Sequence, residues 1–170
     1  MPVSVIENAS FGNNSIVTAN GIKFPATQVA SADANTLDDY EEGTFTPTVA
    51  FGYTSPTYGA QAGRYTKIGR ICYFSFRLTV VSGTRNSNLL RMTLPFSTPI
   101  IPALQAGAAY WAYASGSVIN STSTNLPVMY ISGDGTNIVG FYNTSGTDFN
   151  GTSLSADNID VYITGWMECA

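Results

Sequence analysis

The stretch Ile71-Cys72-Tyr73-Phe74-Ser75-Phe76-Arg77-Leu78-Thr79-Val80 decides the fold class. Its even positions are all apolar, while Ser75, Arg77 and Thr79 occupy odd ones. Strand side chains alternate between two faces, so this pattern predicts a strand with one face on a core. The C-terminal stretch Ile159-Asp160-Val161-Tyr162-Ile163-Thr164-Gly165-Trp166-Met167 repeats the alternation, with Ile159, Val161, Ile163 and Met167 inward and Cys169 in the same parity. Weaker candidate strands lie at 44–51, 89–94, 108–118, 128–131 and 138–142. Ser82-Gly83, Gly133-Asp134-Gly135 and Ser145-Gly146 supply turn signals among them. Short strands at this spacing, with no helical period, predict an all-β domain of the β-sandwich or jelly-roll type.

Upstream of Gly43 the character changes. Residues 1–42 carry short apolar pieces (Val3, Val5, Ile6; Ile16, Val17; Ile22, Phe24) broken by Asn, Ser, Gly and Pro. This reads as an extended N-terminal arm with one or two short strands, and 43–170 as the sandwich. Within the arm, 31–40 is compatible with a short helical turn capped by Asp33 or Asn35. Apolar residues so thinly spread cannot bury one another, so the arm must lie on the main domain or on a neighbour.

The 170 residues suffice to bury a core, and 44% of them are hydrophobic. Only 11% are charged, against roughly 25% in an average soluble domain. The polar surface must therefore come from Ser, Thr, Asn and Gly, which suits an assembly-bound protein better than a free cytosolic enzyme. The net charge of −4 and the lack of a dense basic run argue against a nucleic-acid partner. No stretch approaches the ~20 consecutive apolar residues of a membrane helix, so membrane insertion is not expected. Met1 to Glu7 lacks the basic and apolar regions of a signal peptide.

Few residues offer chemistry. There is no His, which removes Ser-His-Asp and Cys-His systems and leaves Cys72 and Cys169 without metal-site spacing. The two cysteines are expected to be small buried core residues, with a disulfide between them as the alternative. No metal and no cofactor is implied. The acidic run Asp38, Asp39, Glu41, Glu42 could supply glycosidase carboxylates or calcium ligands. Hydrolytic pairs, however, usually come from separate elements, and the spacing misses the calcium-loop pattern. A solvated or interface-forming acidic elbow is the expectation. Tyr110, Trp111 and Tyr113 are candidates for stacking on a glycan or for a core or subunit contact, since a strand puts Trp111 and Tyr113 on one face.

Charge is segregated. Five of the eleven acids lie in 33–42, and six of the seven bases lie in 64–91. Mutual pairing explains this best, and predicts that Arg64 or Arg70 contacts an elbow carboxylate, within the chain or across a subunit interface. Arg64, Lys67 and Arg70 with Asp38, Asp39, Glu41 and Glu42 are thus candidate inter-subunit or arm-docking charges.

Two ordered stretches carry a resemblance. Phe24-Pro25-Ala26-Thr27-Gln28 followed by Asn35-Thr36-Leu37-Asp38-Asp39-Tyr40-Glu41-Glu42-Gly43-Thr44-Phe45-Thr46-Pro47 resembles a module of phage and prophage tail-fibre and related structural proteins. Gly63-Arg64-Tyr65-Thr66-Lys67-Ile68-Gly69-Arg70 is similar to the "GxYTKIGR" that follows it there, and Leu94-Pro95-Phe96 to a later "LPF". Phe45 stands where the module usually has Trp. The likeness covers 24–96; beyond it the chain shares only β character. With no catalytic set among the residues, a non-enzymatic protein is expected; the resemblance implies a virion protein with a β-sandwich, commonly the distal domain of a homotrimer, and an arm that helps join subunits and attach to other phage structural proteins. In long fibres the module follows an extended shaft, whereas here it begins almost at Met1. That implies a short tail fibre, with binding of a host-surface glycan by the sandwich, or alternatively a capsid decoration, cement or head-fibre protein without a receptor. A carbohydrate-active enzyme is the third reading, disfavoured by the missing His and the unseparated carboxylates.

Overall fold

A computed structural model of the chain describes residues 16–18, 21–24, 31–33, 36–37, 39–98, 112–119, 128–131, 138–142, 149–154 and 157–169. Eleven strands are present among them: β1 (Ile16–Thr18), β2 (Gly21–Lys23), β3 (Tyr40–Phe45), β4 (Val49–Phe51), β5 (Tyr53–Ile68), β6 (Ile71–Arg85), β7 (Arg91–Thr93), β8 (Ala112–Ile119), β9 (Val128–Ile131), β10 (Ile138–Tyr142) and β11 (Ile159–Glu168). All pairings are antiparallel, in a five-stranded sheet ordered β3-β5-β6-β11-β8, a four-stranded sheet ordered β4-β7-β10-β9, and the small hairpin β1-β2. The all-β, sandwich-like architecture expected from the alternation is the one observed.

The alternation also sets the core. On β6, Cys72, Phe74, Phe76, Leu78 and Val80 are buried; on β11, Ile159, Val161, Ile163 and Met167 are, followed by Cys169. Leu90, Met92 and Leu94, on and beside β7, meet them from the second sheet. Phe149 and Leu154, either side of the 3-10 turn Gly151–Ser153, complete the cluster. Fully burying a Leu or Phe stabilises by about 1.5–3 kcal/mol, so this shared face is the main source of stability.

One strand departs from what its residues suggest. β5 is 16 residues long, yet it contains Pro56, Gly59, Ala60, Ala62 and Gly63. It forms because β6 pairs with it from end to end, with register shifts between Thr54 and Ala60 that accommodate Pro56. Its inward positions are small where a neighbour supplies the bulk: a Cβ at Gly63 would lie 2.3 Å from the Phe45 ring. The β5–β6 hairpin turns at Gly69-Arg70, where Gly69 has φ +56°. A positive φ at the first central position alone is the type II′ pattern that suits strand twist.

In the arm, β1 and β2 are the two short strands. Around Asp33 the backbone closes a single turn, with the Thr36 amide donating to the Asp33 carbonyl at 3.0 Å. Asn35 lies outside the described residues. β3 begins at Tyr40, so the five-stranded sheet starts ahead of the Gly43 boundary. The 44–51 candidate is two strands, the end of β3 and β4, in different sheets.

Candidate functional site

The pairing of β3 with β5 brings the segregated charges together. Its register sets Glu41 opposite Lys67, Glu42 opposite Thr66 and Thr44 opposite Arg64. Asp39, just before β3, is buried, and its Oδ2 lies 2.5 Å from the buried Lys67 ammonium. Burial pulls the Lys67 pKa down, but the hydrogen bond and charge of Asp39 outweigh it and leave the pKa above its ordinary value. The Asp39 carbonyl accepts from the Gly69 amide at 2.9 Å. Glu41 accepts from the Tyr65 hydroxyl, and Glu42 from the Tyr40 hydroxyl. The Glu41 bond, with burial, pushes the Tyr65 pKa up to about 12. Phe96 closes the group, its ring edge-on to Tyr65 at 4.9 Å and 5.5 Å from the Lys67 ammonium. Three separated stretches of sequence thus meet in one polar knot that holds the elbow to the sheet.

This differs from the expectation in two respects. Asp39 is an interior group, not part of a solvated elbow. Within the chain, the base that reaches the elbow is Lys67; Arg70 instead pairs with Glu168 at 3.4 Å across the hairpin end, and Arg64 has no side-chain ion pair or hydrogen bond among the described residues. Strand parity accounts for the choice between two of these bases: Lys67 is inward like Tyr65, whereas Arg64 points outward. Asp38 lies outside the described residues.

The outward face of the five-stranded sheet carries a second, open feature. An open groove of about 960 Å³ crosses β3, β5, β6 and β11, lined by Thr44, Ala62, Gly63, Arg64, Ser75, Phe76, Arg77, Tyr162, Ile163 and Thr164. The register lines up Thr44, Arg64, Ser75 and Thr164 in one row, and Ala62, Arg77 and Tyr162 in the next. Small Ala62 and Gly63 leave the depression between them. Arg77 is held by Asp160 through two hydrogen bonds of 3.0 and 2.8 Å, and its guanidinium lies 5.2 Å from the centre of the Tyr162 ring. Asp160 also accepts from Thr79 at 2.8 Å and Tyr162 at 3.2 Å. The Arg77 bonds, joined by those from Thr79 and Tyr162, hold the Asp160 carboxyl below its ordinary pKa. Tyr73, 54% exposed, stands on the same face, paired in register with Trp166, itself paired with Tyr113. Tyr110 and Trp111 lie outside the described residues, so the aromatic set read from sequence is represented here only by the register position of Tyr113.

A third surface lies at the β3 edge. Leu37, Tyr40 and Ile68 are 53%, 39% and 43% exposed, and the Phe24 ring sits 5.8 Å from that of Tyr40. β3 has β5 on one side and no strand on the other among the described residues.

No protein-family model matches the chain, and no curated protein does. Among solved structures the chain is similar to the crystal structure of the Dettilon tailspike protein, with a TM-score of 0.58 and 17% sequence identity. The likeness covers 76% of this chain and 24% of the tailspike. At that identity it is a likeness of fold, and this chain spans about a quarter of the tailspike's length.

Proposed function

We propose that the chain is a non-enzymatic structural subunit of a phage virion, a short tail fibre that assembles as a homotrimer and presents its sandwich to a glycan on the host surface. The observation that carries this reading is the fold shared with a tailspike over 76% of the chain. The tail-fibre resemblance of residues 24–96 agrees with it, and the knot residues Asp39, Glu41, Tyr65, Lys67 and Phe96 all lie within the stretches that carry that resemblance. Self-association is supported by exposed apolar residues at the β3 edge, Tyr40 and Ile68 paired in register and Leu37 shortly before them in the chain, where β3 has no outer neighbour among the described residues. Exposed apolar side chains at a sheet edge suit a contact with another protein. The groove on the outward sheet face, which runs from Thr44 on β3 to Tyr162 and Thr164 on β11, is the surface proposed for a receptor.

An adsorption experiment tests the receptor role. Purified protein added to host cells before phage should lower the adsorption rate in a dose-dependent way. Unchanged adsorption at saturating protein would contradict it.

A further inference from the structure

The outward groove is electrostatically unusual for this chain. The protein has a net charge of −4, yet the groove is lined by two arginines and no acid. The two arginines are in different states. Arg77 is committed: both oxygens of Asp160 bind it and the Tyr162 ring lies beneath it. Arg64 is exposed and its guanidinium has no side-chain partner among the described residues. A guanidinium is a planar fork that matches a carboxylate with two parallel hydrogen bonds. In the same row Thr44 and Ser75 offer hydroxyls from the strands on either side of it, each strand about 4.8 Å away, and Thr164 lies one strand further, its hydroxyl donating to the Phe74 carbonyl at 3.3 Å and able to accept. Tyr162, 40% exposed and fixed through its bond to Asp160, offers aromatic surface.

We infer that this groove binds an acidic saccharide, with Arg64 taking the carboxylate, the threonine and serine hydroxyls the sugar hydroxyls, and Tyr162 the apolar face of the ring. A hydroxyl-rich ring bearing one negative charge matches this set. An extended acidic peptide matches it less well, because most of the groove lies over β5, β6 and β11, whose backbones are already paired on both sides. The inference rests on the reading that the exposed sandwich meets a host-surface glycan, and it names that glycan's chemical class and the residues that select it.

Calorimetric titration of the full chain tests it, with three probes: a tetrasaccharide of alternating glucuronic acid and N-acetylglucosamine, the neutral tetramer of N-acetylglucosamine, and a tetraglutamate peptide. The acidic sugar should bind about 10- to 100-fold more tightly than the neutral one, the range expected of a charge-assisted pair. Arg64→Gln should abolish that preference while leaving the melting temperature unchanged, since Arg64 makes no ion pair or side-chain hydrogen bond among the described residues. Arg64→Lys should retain part of it, because it keeps the charge and loses the fork. Equal affinity for the two sugars, an unaltered preference in Arg64→Gln, or equally tight Arg64-dependent binding of tetraglutamate would each overturn the inference. So would a failure of all three probes to bind; the assignment to a tail fibre would be untouched by that result, because labelling of virions tests it separately.

Discussion

Replacing Lys67 by Met should destabilise the protein by about 3 kcal/mol, near the lower end of the range for breaking a buried ion pair. The magnitude follows from burial. The Lys67 and Asp39 side chains are 11% and 8% exposed, and their charged atoms are 2.5 Å apart. An exposed pair would be worth only about 0–1 kcal/mol. Here Lys67→Met leaves the Asp39 carboxylate enclosed without its cation, while Met fills a similar volume. For a chain of this size the loss corresponds to a fall in melting temperature of roughly 6–12 °C, read by circular dichroism at fixed protein concentration. The double variant Asp39→Leu/Lys67→Met removes both charges together, and should recover at least about 2 kcal/mol relative to the sum of the single changes. Because the folded Lys67 pKa is raised, its contribution is full below the unfolded value of about 10.4 and disappears as pH climbs through the folded value. The gap between wild type and Lys67→Met should therefore be constant from pH 6 to 9 and narrow above about pH 10.5. A single-variant loss below about 1 kcal/mol, or strict additivity in the double variant, would refute the buried-pair account.

Light scattering on the purified protein should give three times the chain mass of 18.1 kDa, and a stable monomer at micromolar concentration would contradict the trimer. Cys72 and Cys169 are both buried and free, so reducing agent should leave the melting temperature unchanged, and Cys72→Ala should cost no more than about 2–3 kcal/mol. The hydrogen bond to Cys169 and burial push the Cys72 thiol well above its ordinary pKa, so iodoacetamide should leave it unmodified in the native protein at pH 8. Gly151→Ala should be strongly destabilising, because its Cβ would meet the Gly52 carbonyl oxygen at 1.8 Å; a melting temperature within about 2 °C of wild type would show that the loop can move aside.

The central strands were legible because each carries its own alternation. β6 and β11 announce which face is buried in a few residues, and that face is the core observed. β9 and β10 fall on the ranges that their apolar runs and flanking turns delimit. β5 was not legible, for a physical reason. Gly63 is small because the Phe45 ring occupies its side-chain space, so the hydrophobic content of that inward position is written on β3. A local pattern cannot reveal a bulk supplied by another strand. The pairing of elbow and basic stretch was foreseeable from charge segregation, but its members were not. Charge segregation alone points to Arg64 or Arg70 as readily as to Lys67, whereas parity with Tyr65 turns Lys67 inward. The groove depended on β6 pairing with β11, which brings Arg77 to Asp160 and Tyr162 from more than eighty positions away. Periodicity predicts both strands and is silent on their adjacency.

Immunogold labelling of intact virions with an antibody raised against the purified chain tests the central claim most directly. Gold should appear at the tail, at the distal parts of its fibres. Gold distributed over the head would contradict it in favour of a capsid decoration protein, and unlabelled virions would contradict a virion role altogether.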